Sequence, residues 1–261
     1  MVQAVEESVG SRLARRARFI TVGGLAGMVA GVVVLGLGGR LVMFLSRLLH
    51  PAAVGRLTEG GNRIGEFTLE GTIGLVLFGG LFSGLMGAVV WVLTKDWLPN
   101  RWWMIGLAAT AIGGPTLILS DNRDFTILAE PALDIVLLLA MVFAFGAAIP
   151  GIDRLLHRRL PSPDGSVAKV IYSVLAAFGL LFVQLTFATF FSEFACFCSE
   201  PNVLTGAALV VAGVASLVWW VLEARGSDET PDWLRWAGRV GSWGAVAAGT
   251  FYLWREITTI L

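Results

Sequence analysis

The chain has 261 residues, of which 56% are hydrophobic and 15% charged, with a mean hydropathy of +0.76 and a formal net charge of zero. A water-facing domain carries roughly a quarter of its residues as charged groups, so lipid must be the solvent for much of this exterior. The neutral balance as a whole suggests neither a nucleic-acid partner nor a polyanionic surface.

Residues 1–18 form a basic N-terminal segment with Arg12, Arg15, Arg16 and Arg18, expected in the cytoplasm. The apolar run behind it is about 21 residues long with no small-x-small cleavage site, so it reads as a span and not a leader. Crossing a ~30 Å hydrocarbon core takes about 20 apolar residues. Seven runs qualify: 19–39, 71–94, 102–119, 132–152, 168–191, 203–222 and 237–256. The third is the shortest, and Gly113-Gly114-Pro115 should kink or break it near its outer end. Barrel strands would be alternating runs of about ten residues, whereas these are continuous and twice as long. The expectation is an all-α integral membrane protein. A single domain over 19–261 holds a bundle of about seven transmembrane helices with a small extracytoplasmic β-hairpin cap.

The first two spans carry Gly-x-x-x-Gly spacings, Gly27/Gly31 and Gly80/Gly84, which let backbones approach closely. Two readings follow: packing of these spans on each other, or a homo-oligomer or membrane-protein partner held through the same faces. Between them, the outer loop 40–70 collects Arg40, Arg47, His50, Arg56, Glu59, Arg63, Glu66 and Glu70. Residues 40–50 either prolong the first span or form an interfacial helix. Over 54–69, two alternating segments flank Gly60-Gly61-Asn62, the pattern of a β-hairpin.

The next outer loop brings Ser120-Asp121-Asn122-Arg123-Asp124 and then Glu130-Pro131, where the fourth span begins. Proline in a first turn with acidic residues nearby suits a helix N-terminus. Asp134, one turn in, needs donors or a basic partner to stay ionised. Arg40 and Arg123 are the expected partners, with Arg63 next. Arg40, Arg63, Glu66, Arg123, Glu130 and Asp134 are thus the candidate ligand-binding residues of an outward polar vestibule. The alternative is a solvated cap of exposed ion pairs, each worth little.

Further along, Cys196 and Cys198 lie beyond the fifth span. They are candidates for an i, i+2 disulfide on the oxidising side, for plain small residues, or for soft-metal ligands with Glu193 or Glu200. Two thiols do not close a zinc site, and no metal or cofactor is expected. Tryptophans 91, 97, 102, 103, 219, 220, 233 and 236 cluster at one predicted boundary, as an interfacial belt does. The stretches Val90–Leu93 with Asp96-Trp97-Leu98 and Val218–Leu222 with Asp232-Trp233-Leu234 look alike. Either they mark a 3+1+3 parallel repeat (spans 1–3 and 5–7), or interfacial Trp and inside Arg produce the likeness unaided.

Counting Arg and Lys beside the spans gives 13 on the N-terminal side against 6 on the other. By the positive-inside rule the N-terminus is cytoplasmic and the C-terminus outside. Seventeen arginines against two lysines fit a GC-rich bacterial genome, hence an inner-membrane, multi-pass protein.

Chemistry is sparse. Spans 1, 2, 3 and 6 have no ionisable group through their centres, and the deepest polar residues are Asp134, Gln184 and Glu193. His50 and His157, the two histidines, lie at or beyond span ends, so they cannot ligate a haem within the bundle. The last span lacks a lysine for a Schiff base, and no G-x-S-x-G, H-E-x-x-H or Walker loop occurs. The reading is a non-enzymatic accessory or binding component. The alternative is a small-solute transporter or channel using the outer vestibule.

Overall fold

The computed structural model describes residues 9–58, 63–66, 68–127, 130–196 and 200–261. Its long helices are α1 (Val9–Leu49), α2 (Leu69–Thr94), α3 (Trp102–Gly113), α4 (Pro131–Arg159), α5 (Ser166–Phe191), α6 (Val203–Ala224) and α7 (Asp232–Ile260). Single helical turns lie at Asp124–Ile127 and Glu193–Cys196. Helices α1, α2, α4, α5 and α6 are long and apolar enough to cross a membrane. Gly113-Gly114-Pro115 stops α3 after 12 residues in a 3₁₀ turn. In α7, interspersed Gly, Ser, Thr and Arg dilute the apolar character. The protein is all-α and multi-pass.

Residues 40–49 prolong the first span, carrying α1 out to Leu49. Near mid-length both α1 and α2 widen into π-helical turns, Gly31–Leu37 and Leu75–Phe82, and these turns pack on each other. The glycines make the crossing close. A Cβ on Gly27 would stand 2.6 Å from the Gly84 carbonyl oxygen, and one on Gly31 2.5 Å from the Gly84 Cα. The two Gly-x-x-x-Gly faces therefore meet inside the protomer.

At the cap, a single antiparallel bridge joins Leu57 to Arg63, with Gly55 N–H donating to Ile64 O and Ile64 N–H to Arg56 O, both at 2.9 Å. Among the described residues, the pairing expected over 54–69 is limited to this one bridge, with no longer strand on either side. Gly55 and Gly65, at φ +85° and +90°, turn the backbone out of the extended region on either side of the bridge. The proposed turn Gly60-Gly61-Asn62 lies outside the described residues, as does the pairing of Cys196 with Cys198.

Alternating helix direction sorts the polar contacts into two ends. Arg16, Lys95, Asp153 and Glu223 meet at one, which we call the basic end. At the other, His50 meets Asp134, Arg255 meets Glu200 (2.7 Å), and Glu256 accepts from Ser120 N–H (2.8 Å). Along its length α5 buries only Tyr172, Thr186, Thr189 and Phe190, leaving Val170, Val174, Phe178 and Leu181 exposed, as a lipid-facing helix does. The tryptophans divide: Trp102, Trp103, Trp233 and Trp236 are exposed, whereas Trp91 and Trp97 are buried. Trp97 packs with Ala212, Ala215 and Leu234, and its indole N–H donates to Ser216 Oγ at 2.7 Å. Its counterpart in the look-alike stretch, Trp233, faces outward.

Candidate functional site

The six residues expected to form the outer site are placed differently from one another. Asp134 is buried, Arg40 is half-buried, and Arg63, Glu66, Arg123 and Glu130 are exposed. The partner of Asp134 is His50, whose Nε2 lies 2.7 Å from Oδ2, with both side chains under 8% exposed. This corrects the expected arginine. His50 follows directly on the last residue of α1, so the extension of that helix carries the imidazole to the first turn of α4. Arg40 instead directs Nη1 toward Met43 Sδ at 3.8 Å. None of the six lines any of the four cavities described below.

The basic end is more organised. Lys95, one residue past α2, places Nζ 3.5 Å from Asp153 Oδ1 and 3.4 Å from the Phe19 ring centre. His157 Nδ1 lies 3.7 Å from the same Asp153 oxygen. Arg16 pairs closely with Glu223 and stands 3.9 Å from Asp96. Burial pulls the Lys95 ammonium below the ordinary lysine range, with Asp153 opposing, and pushes the Asp96 carboxyl up, with Arg16 opposing. The cluster is hard to see in the sequence because its members are spread over the ends of α1, α2, α4 and α6 and each looks like an ordinary boundary charge. The available signal was three carboxylates, Asp96, Asp153 and Glu223, at or within a few residues of the helix ends on the side where arginine and lysine are in excess.

Two polar vestibules open here. One, about 380 Å³, includes Lys95, Asp96, Asp153 and Arg154; the other, about 540 Å³, includes Arg15, Arg16, Arg18, Asp164, Lys169 and Glu223. They share Phe19 and His157. Trp91 is common to the smaller vestibule and to a cavity of about 160 Å³ among α2, α3, α4 and α5.

That cavity is walled by apolar side chains such as Met86, Val90, Ile105, Val142, Phe145 and Phe190, and no ionisable side chain lines it. Its hydroxyls are occupied as donors to nearby backbone carbonyls. Ser83 donates to Phe78 (3.2 Å), Thr94 to Val90 (2.7 Å) and Thr116 to Gly113 (2.7 Å). Thr186 likewise donates to Phe182 (2.7 Å) and Thr189 to Leu185 (3.1 Å). Gln184 is exposed on α5.

Comparison with known proteins gives no match to a family model, a curated protein or a solved structure.

Proposed function

We propose that this chain is a non-enzymatic binding component of a bacterial inner membrane. It crosses the bilayer seven times, with the N-terminus inside, the C-terminus outside and the 54–69 cap on the outer face, and holds the apolar part of an amphiphile in the cavity among α2–α5. The lining of that cavity carries the reading. A space of this size with apolar walls stays dry and takes an apolar group. An ion or a file of water needs several unsatisfied polar groups; the hydroxyls present already donate to the backbone, and the Trp91 indole N–H, which has no partner among the described residues, is a lone donor in the wall. Solute passage, the competing reading, would need the outer charges to open onto a polar path, and none of them lines the cavity. The excess of Arg and Lys at the basic end supports the orientation. Since Gly27, Gly31, Gly80 and Gly84 face each other, a second copy or a membrane partner would use another surface, such as the exposed apolar side of α5.

Trp91 reports on the cavity directly, as the tryptophan in its wall. Titrating the detergent-solubilised protein with a dibrominated fatty acid should give a saturable quench that Trp91→Phe removes. Absence of that component, or efflux of a trapped small solute from proteoliposomes, would overturn the reading.

A further inference from the structure

Helices α1 and α5 form a seam with a different character on its two sides. Where they touch near the basic end, Thr21 Oγ donates to Tyr172 O at 3.2 Å and Tyr172 Oη donates to Pro161 O at 2.8 Å. Toward mid-helix the seam opens. No atom lies within 4 Å of the position a Cβ would take on Gly24 or Gly179. Both glycines line an apolar groove of about 120 Å³ whose other walls include Leu25, Met28, Leu175 and Phe182.

On the other side of the contact lies the 540 Å³ vestibule, whose charges do not cancel. Arg16 and Glu223 neutralise each other. Arg18 is held by carbonyls alone: Nη2 donates to His157 O (2.7 Å) and Leu160 O (2.9 Å), and Nε to Pro161 O (3.0 Å). A helix C-terminus offers about half a negative charge, so the guanidinium stays net positive, and its Nη1 makes no hydrogen bond among the described residues. The Lys169 ammonium has neither a hydrogen bond nor an ion pair among the described residues. Asp164, the one acid in the lining besides Glu223, is exposed and accepts from Ser162.

We infer that this seam binds an anionic phospholipid, with its phosphate in the vestibule between Arg18 and Lys169 and an acyl chain in the Gly24–Gly179 groove. Unspent donors on a fixed guanidinium suit a phosphate oxygen, and basic pockets between membrane helices on the cytoplasmic side take such headgroups. The occupant follows from charge complementarity in the vestibule and an apolar groove along the same two helices. This inference rests on the α1–α5 seam and is separate from the cavity among α2–α5.

The test is native mass spectrometry of the full chain in detergent, with phosphatidylglycerol and phosphatidylcholine of identical chains as probes. Wild type should retain phosphatidylglycerol preferentially. One basic group near an anionic headgroup is worth a factor of about five, so Lys169→Glu should weaken retention about 30-fold, while Lys169→Arg behaves as wild type. Gly179→Leu, which fills open space, should lower retention of both lipids. Equal retention of the two lipids by wild type, or an unaltered Lys169→Glu, overturns the inference. So does displacement by inorganic phosphate beyond that by chloride at equal ionic strength together with an indifferent Gly179→Leu, which would reveal a site for a free anion. The Trp91 quench is read independently, so failure here leaves the cavity reading standing, and the converse also holds.

Discussion

Replacing Asp153 by Asn removes the carboxylate that faces Lys95 and keeps its shape. Lys95 is 7% exposed and Asp153 12%, with 3.5 Å between Nζ and Oδ1. At that distance and an effective dielectric of about 20, the attraction is about 4–5 kcal/mol, set against desolvation of several kcal/mol per ion. Deleting one member of a buried pair costs about 3–5 kcal/mol. The lower end applies, because the Phe19 ring and Asp96 still face the ammonium. The pH dependence fixes the cause. Burial already lowers the Lys95 pKa, and loss of Asp153 lowers it further. The unfolded chain then binds more protons than the folded one between the folded value and the ordinary lysine value, so the stability of the variant rises with pH across that window. Unfolding in graded mixtures of dodecylmaltoside and sodium dodecyl sulfate, followed by circular dichroism at pH 7 and pH 9.5, measures both effects. The double variant Lys95→Met/Asp153→Leu should recover most of the loss. A single variant within about 0.5 kcal/mol of wild type, the range of ordinary surface changes, or a loss independent of pH, would show that water screens the pair and refute the reasoning.

At the opposite end, Asp134→Ala should strand the buried His50 donor and cost about 1–3 kcal/mol, with His50→Leu restoring stability in the same assay; a double variant as unstable as the two singles combined would count against the pair. Gly84→Leu drives a side chain into α1 and should lower the thermal midpoint by several degrees, whereas Gly74→Leu, which faces open space, should not. Trp97→Phe leaves Ser216 Oγ, which itself donates to Leu93 O at 2.7 Å, without its indole donor and should cost about 1–2 kcal/mol by denaturant unfolding. In a background lacking Cys196 and Cys198, Ser162→Cys should resist an impermeant thiol reagent on intact cells and Arg56→Cys should react; the reverse pattern would invert the orientation.

Hydropathy located α1, α2, α4, α5 and α6 because each is long and apolar enough to span hydrocarbon by itself, and Gly113-Gly114-Pro115 announced the break that ends α3. It did not show how far α1, α4 and α7 continue past the apolar stretch, since the prolonging residues are polar and a helix can run on through the headgroup region. The Gly27/Gly31 and Gly80/Gly84 spacing was legible as a close-packing face, but a spacing has no partner written into it; the partner came from the fold. Asp134 was legible as a buried carboxylate needing a counterpart. The wrong counterpart was expected because the length of α1 decides which side chain arrives there. Lys95, Asp153 and Arg16 were illegible as a group, since nothing local in the sequence brings the ends of α1, α2 and α4 together.

The paired π-helical turns set a rule for how this chain can change in length. Each residue of a helix contributes about 100° of rotation and 1.5 Å of advance, and a π turn holds one residue more than an α turn would. Losing one residue within Gly31–Leu37 would relax that turn to α while the turn itself is still completed, so the rest of α1, out to His50, would keep nearly the same heading relative to the basic end. Losing a residue from the regular α-helix before it would instead swing everything beyond by about 100° and carry His50 away from Asp134. The same holds for Leu75–Phe82 in α2. Single-residue deletions should therefore be tolerated at these two turns and selected against in the α-helical stretches that flank them, so the turns act as slack in a bundle whose two ends must stay in phase.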